Sequence, residues 1–176
     1  ANTIAKATDG KVTATVADTA ANLVTLGTAA TDAITIKVTD VAITAAQLKA
    51  LDEKTSVVVD AKAVTTITAL AADVADVVTV LAAKTITRAA DVAVTINPAA
   101  EITALEANSI AKLTTGVVTA IVADGSASYL NTTLKDAKAT DALKLTVIGT
   151  TATAADLIAL NAKTKEVIKV EATKIE

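Results

Sequence analysis

Four aspartates stand at or just beyond the ends of β-type runs: Asp18, Asp40, Asp60 and Asp124. Parallel strands lie about 4.8 Å apart, so carboxylates repeated at one strand end form a ladder whose like charges repel unless paired or bridged. The bridging ion for such oxygen ligands would be calcium, which takes about 6–8 of them. One carboxylate per repeat falls short of that number. Asp in this setting also bonds its own turn N–H groups or caps the following helix. The expectation is no metal and no cofactor, with a calcium ladder on Asp18, Asp40, Asp60 and Asp124 as the alternative.

Other chemistry is sparse. The chain has no His and no Cys, which removes the usual acid–base group near neutral pH and the thiolate nucleophile. Ser109-Ile110-Ala111-Lys112 matches the S-x-x-K spacing that lets a helical Ser face an activating Lys. The companion S-D-N and K-T-G motifs are missing, so the pair reads as two polar residues on a helix turn. Thr13, Thr15, Thr35 and Thr146 project a row of hydroxyls that could meet ice or a surface glycan. Lys37, Arg88, Lys144 and Lys169 break that row, as on an ordinary wet sheet face. Asn131-Thr132-Thr133 fits a glycosylation sequon, a pattern frequent by chance. Tyr129, the one aromatic residue, reads as a helix packing residue or an exposed contact point. No catalytic set emerges, and no enzyme is expected.

The elements that would position these residues follow from composition and repetition. Hydrophobic residues are 52% of 176, yet aromatics are 1%, so the core must be Ala, Val, Leu and Ile. Small side chains suit thin repeats stacked closely. The net charge of −3 is dispersed and forms no basic stripe, which argues against nucleic acid as a partner. Every apolar run is interrupted by Thr or charge well short of 18 residues, so membrane insertion is not expected. Without Cys, disulfides and thiolate metal sites are excluded. The chain starts at Ala1 without an initiator Met or a signal peptide, and is expected to be a mature product or an excised piece, natural or engineered.

One phrase recurs: a small residue, Ala, a small residue, a polar residue, an aliphatic anchor, and a second anchor three positions on. It appears as Thr19-Ala20-Ala21-Asn22-Leu23 with Leu26, and as Thr44-Ala45-Ala46-Gln47-Leu48 with Leu51. It returns as Leu70-Ala71-Ala72-Asp73-Val74 with Val77, and as Pro98-Ala99-Ala100-Glu101-Ile102 with Leu105. The last copies are Ser126-Ala127-Ser128-Tyr129-Leu130 with Leu134, and Thr153-Ala154-Ala155-Asp156-Leu157 with Leu160. The first anchors are spaced 25, 26, 28, 28 and 27 residues apart. A near-constant period of this size marks a unit of one helix and one strand. Thr19, Thr44, Ser126 and Thr153 are suitable N-caps, Pro98 suits a first turn, and the anchors make one apolar stripe.

Each helix leads through a Thr-marked turn into a β-type run. The runs are Val12–Val16, Ile34–Val38, Val57–Val59, Ile86–Arg88, Val117–Val122, Leu143–Val147 and Val167–Val170. The clearest alternate apolar with Thr or Lys, giving one buried and one wet face. A short second strand such as Val92–Ile96 precedes the helix. Alternating helix and strand predicts parallel pairing with right-handed crossovers. The expected fold is α/β, a right-handed solenoid of about six strand–helix coils with one parallel sheet. It occupies residues 1–176 as one domain, with coils at roughly 10–31, 32–55, 56–83, 84–115, 116–140 and 141–164 and a terminal strand at 165–176.

The phrases Asp18-Thr19-Ala20-Ala21-Asn22-Leu23 and Thr153-Ala154-Ala155-Asp156-Leu157 resemble repeats of very large bacterial surface and secreted proteins, the cyanobacterial hemolysin-like, S-layer-like and RTX-type adhesin chains. That resemblance implies an extracellular or cell-surface, structural or adhesive context. The period also resembles leucine-rich repeats, although Asp stands near the place of their usual Asn. The Gly-Gly-x-Gly-x-Asp nonapeptide of RTX proteins is absent, so calcium does not carry over. The expected role is non-enzymatic, with a carbohydrate- or peptide-binding module as the alternative. The expected partners are neighbouring repeats or copies of the chain itself. The last run carries Val167, Ile168, Val170 and Ile175 between Lys165, Glu166, Lys169, Glu171, Lys174 and Glu176. It reads as an assembly or continuation edge, or as a strand that folds back as its own lid.

Overall fold

The computed structural model describes residues 2–176, which form an α/β chain with seven α-helices and thirteen strands. The order is α1 (Asn2–Ala7), β1 (Thr13–Asp18), α2 (Ala20–Leu23), β2 (Ala33–Val38), β3 (Ala42–Thr44) and α3 (Ala45–Asp52). Next come β4 (Val59–Asp60), β5 (Thr66–Ala69), α4 (Val74–Ala82), β6 (Ile86–Thr87), β7 (Ala93–Ile96) and α5 (Ala104–Leu113). The chain continues through β8 (Val118–Ile121), α6 (Ala127–Thr133), β9 (Ala142–Lys144), β10 (Thr146–Val147) and β11 (Thr151–Ala152). It closes with α7 (Ala154–Asn161), β12 (Lys169–Val170) and β13 (Lys174–Ile175).

Every strand pairing is parallel, but the strands do not make the single sheet expected. They form a four-stranded sheet β1-β2-β4-β6, a five-stranded sheet β3-β5-β7-β8-β9, and the pairs β10-β12 and β11-β13. The reason is the corner inside each repeat. Between β2 and β3, β4 and β5, and β6 and β7 the chain turns, so one repeat feeds two hydrogen-bonded columns. Isolated backbone bonds cross the corners, such as Thr39 N–H to the Asp18 carbonyl and Thr65 N–H to the Val41 carbonyl.

Alternation dictates the faces. In β2 the Ile34, Ile36 and Val38 side chains are buried, while Thr35 and Lys37 are exposed. Helices supply the other wall of the core. Leu23, Leu48, Leu51, Val77, Leu130, Leu134 and Leu160 are buried there, and Leu157 is half-buried. Small caps seat the helices. Thr44 with Gln47 and Thr103 with Glu106 form reciprocal capping boxes, and Ser126 and Thr153 each accept an N–H three residues on. The Thr19 hydroxyl caps nothing in α2.

The fourth copy of the repeat is misread by its sequence phrase. Pro98-Ala99-Ala100 is a turn, Ile102 is buried in a parallel bridge to Val122, and Leu105 is 64% exposed. The helix starts one phrase later at Ala104, and Ala107 and Ile110 are its buried anchors. The Thr103–Glu106 capping box outweighs Pro98 because it satisfies otherwise orphaned N–H groups at both ends of the box.

Candidate functional site

The outer face of the five-stranded sheet carries a row of threonines in strict register. Thr44 faces Thr68, Thr68 faces Thr95, and Thr95 faces Thr119. Their inward neighbours Ile43, Ile67, Val94 and Val118 are buried, which fixes the hydroxyl row outward. A cleft of about 540 Å³ opens along the first three of these threonines, walled by Leu70, Asp73, Asn97 and Pro98. Its floor is mostly methyl and methylene carbon, and Asp73 is the charged group on its wall. Such a surface can hold a neutral ligand through shape and a few hydrogen bonds. The Thr66-Ile67-Thr68 alternation was the sequence signal for this row; the register that aligns four threonines was not readable.

The threonines singled out by sequence lie elsewhere. Thr15 and Thr35 are paired and exposed on the four-stranded sheet, Thr13 is exposed opposite Ala33, and Thr146 is half-buried in β10. Lys37 faces Ala17 and Asp60 across that sheet, while Lys144 and Lys169 lie in other sheets. Arg88 is not on a wet face. It is half-buried, and its guanidinium donates to the carbonyls of Leu81 and Leu113 (the latter at 3.2 Å), closing the ends of α4 and α5. Burial pushes its pKa down from the ordinary value.

The four strand-end aspartates do not share a register. Asp18 faces Val38, whereas Asp60 faces Lys37 and Thr87, and Asp124 lies beyond β8 of the other long sheet. Asp18 accepts N–H groups from Thr19 (2.7 Å) and the Asn22 amide (2.9 Å), and these bonds, Asn22 first, hold its pKa below the ordinary carboxylate value. Asp40 accepts the Ala20 N–H at 2.6 Å, so it caps α2 of the preceding repeat. Asp60 accepts the Lys62 N–H within its own turn. Among the described residues, no three acidic side chains gather where they could hold a metal ion.

The remaining motifs are engaged locally. The Ser109 hydroxyl donates to the Leu105 carbonyl at 2.8 Å, four residues back in α5. Asn131 and Thr132 of the sequon lie inside α6, where the Asn131 amide donates to Asp156 and the Thr132 hydroxyl donates to Ser128. The Tyr129 ring is half exposed. Among the described residues, no helix is long and apolar enough to cross a membrane.

No family model, curated protein or solved structure matches this chain.

Sequence reasoning missed a second polar device, although it marked the turns that hold it. Thr55, Thr114 and Thr164 are buried and do the same work after three different helices. Each donates to a carbonyl more than twenty residues back in the chain: Ile34 (2.7 Å), Val92 (2.6 Å) and Leu143 (2.8 Å). Each then accepts the N–H two residues on, from Val57, Gly116 and Glu166. Asp32 and Asp141 complete two of these corners. Asp32 accepts N–H groups from Val12 and Ala29, and Asp141 accepts them from Val118 and Lys138, all four at 2.9 Å. Buried carboxylates with two amide donors are braces between repeats.

Proposed function

We propose that this chain is a right-handed α/β solenoid of about six strand–helix coils, serving as a non-enzymatic structural or adhesive module of a bacterial cell-surface or secreted protein. The observation that carries this reading is pairing at a recurring offset of 20–27 residues: from β1 to β13 strands take parallel partners one repeat away, and successive helices from α2 to α7 pack side by side. An array of this kind transmits rigidity along its length, because each repeat is stabilised by its neighbours. The Thr and Asp braces between repeats serve the same end. The resemblance to S-layer-like and adhesin repeats supports the extracellular setting.

Antibodies against the chain, applied to intact and permeabilised cells of the producing organism, test the setting. Labelling of intact cells is expected; labelling only after permeabilisation overturns it. Small-angle X-ray scattering tests the architecture, with an elongated particle expected and a spherical one overturning it.

The threonine-floored cleft favours a second reading, a module that binds a neutral carbohydrate or an extended peptide. Binding of either in a glycan or peptide array, abolished by Thr95→Lys, would support it.

A further inference from the structure

Two irregularities of the repeat meet at the threonine-floored cleft. The first is a missing cap. In three other repeats the residue three places beyond the cap turns its side chain back to the cap hydroxyl: Gln47 to Thr44 (3.0 Å), Glu106 to Thr103 (2.8 Å) and Asp156 to Thr153 (2.9 Å). Asp73 stands at that place before α4, but the cap residue is Leu70, which has no hydroxyl and is 55% exposed. A helix entry without Ser, Thr, Asp or Asn at its cap forgoes stability. The second irregularity is a delayed helix. α3 starts directly after β3, whereas residues 97–103 separate β7 from α5. Leu70 and Asp73 of the first irregularity and Asn97 and Pro98 of the second wall the same cleft. Places where a chain breaks its own local rules are where functional sites are expected.

The groups left free there are few, and they define a ligand. Among the described residues, the half-buried Asp73 carboxylate makes neither a hydrogen bond nor an ion pair. Lys49 on the neighbouring helix is taken by Asp76 at 2.7 Å. The Asn97 side-chain oxygen accepts the Ala99 N–H at 2.9 Å, which leaves the amide N–H groups to donate elsewhere. Ala46, Leu70 and Pro98 add apolar walls. A lone anion beside aliphatic walls complements a cation carried on an aliphatic stem. Lysine is that side chain: its methylenes lie along apolar surface while the ammonium reaches an acid. The Asn97 amide can then meet a carbonyl of the flanking peptide. A neutral sugar offers the carboxylate no counter-charge.

We propose that the cleft takes a lysine side chain of an extended peptide, its stem on Ala46, Leu70 and Pro98 and its ammonium on Asp73. The proposal rests on the cleft-binding reading above and narrows it to a peptide of this kind.

Nuclear magnetic resonance titration of the isotope-labelled full chain tests it. The probe is an N-acetylated, C-amidated hexaalanine peptide with one lysine in place of its third alanine. The amide signals of Thr68, Leu70, Asp73 and Asn97 are expected to move. The norleucine counterpart keeps the stem without the charge and should bind about tenfold more weakly. Asp73→Asn should remove that difference and leave the melting temperature unchanged, because the carboxylate caps nothing in the fold. Leu70→Thr supplies the missing cap hydroxyl and should raise the melting temperature. It should also weaken the lysine peptide about tenfold, since Asp73 gains a partner and the stem loses its wall. Lysine and norleucine peptides that bind alike, both blocked by Thr95→Lys, overturn the lysine assignment and leave the cleft reading standing. Signals that move only with maltohexaose overturn the peptide and again keep the cleft. No movement with any of the three ligands to about 10 mM, where even weak binding would register, overturns both.

Discussion

Two segments of this molecule read alike and are built differently. Ala33–Val38 follows the corner Ala29-Ala30-Thr31-Asp32, and Ala142–Val147 follows Lys138-Ala139-Thr140-Asp141. Both segments alternate apolar with Thr or Lys, and both corners close on an aspartate that accepts two N–H groups. Yet the first is one unbroken strand, β2, in register with all six residues of β1. The second splits at Leu145 into β9 and β10, which belong to different sheets. The partner decides. β1 runs straight from Thr13 to Asp18, whereas the chain opposite β9 leaves its strand after Ile121. It returns only at Gly125, whose N–H reaches the Thr146 carbonyl at 3.3 Å and whose carbonyl takes the Ile148 N–H. Alternation settles which side chains go inward; the neighbouring repeat settles how long the strand lasts.

If the two halves differ only in their sheets, their helices should respond alike. Leu48 in α3 and Leu130 in α6 are both fully buried. Truncation of either to Ala should cost about 2–5 kcal/mol in urea unfolding. A cost at Leu130 well below that at Leu48 would mean that the split sheet loosens its helix wall as well.

The corners come next. Asp141 is fully buried, and Asp141→Ala leaves the Val118 and Lys138 N–H groups without their acceptor, at about 1–3 kcal/mol for each one left unsatisfied. Asp32→Ala should cost less, because Asp32 keeps 7% of its surface exposed whereas Asp141 keeps none. Equal losses in thermal melts would erase the distinction between the two corners.

At Gly116, between the two corners, the chain passes close against the backbone of the preceding repeat. A Cβ there would stand 2.3 Å from the Asp91 carbonyl oxygen and 2.5 Å from that of Val92, both backbone atoms of the preceding repeat. Gly116→Ala should destabilise by about 1–3 kcal/mol, the usual cost of forcing atoms into a packed site. An unchanged melting temperature would show that the junction can open without loss.

The smallest effect is on acid stability. The Ala29 N–H, then the Val12 N–H, hold the Asp32 carboxyl below its ordinary pKa of 3.8, with Lys11 adding slightly and burial opposing. A pKa lowered on folding gives stability that is complete above the ordinary value and is lost as pH falls through the folded one. Asp32→Asn should therefore flatten the acid limb of a melting-temperature profile below about pH 4. A variant that tracks the parent throughout would assign acid loss to other carboxylates.

Much of the architecture was legible because it depends on local pattern. The alternation of Ile34 to Val38, the paired alanines before Leu48 and Leu157, and the Thr marking the turns are signals within a few residues of one another. They determined the helix–strand order, the parallel sense and the buried faces. The helix of the fourth copy, α5, was misplaced because Pro98-Ala99-Ala100 imitates the phrase, although Thr103 and Glu106 carried the better signal at capping-box spacing. The candidate site was less legible. The Thr44–Thr68–Thr95–Thr119 row exists only through register between residues more than twenty positions apart.

What the sequence by itself determined was therefore the repeating unit and its wet and dry sides, since periodicity and capping act within one repeat. Only the tertiary structure decided how the units join: four sheets where one was expected, Asp40 capping a helix of another repeat, Arg88 turned from a wet face to seal α4 and α5. These outcomes depend on backbone groups and corners meeting across repeats, and hydrogen bonds over such distances leave no local trace in the residues that make them.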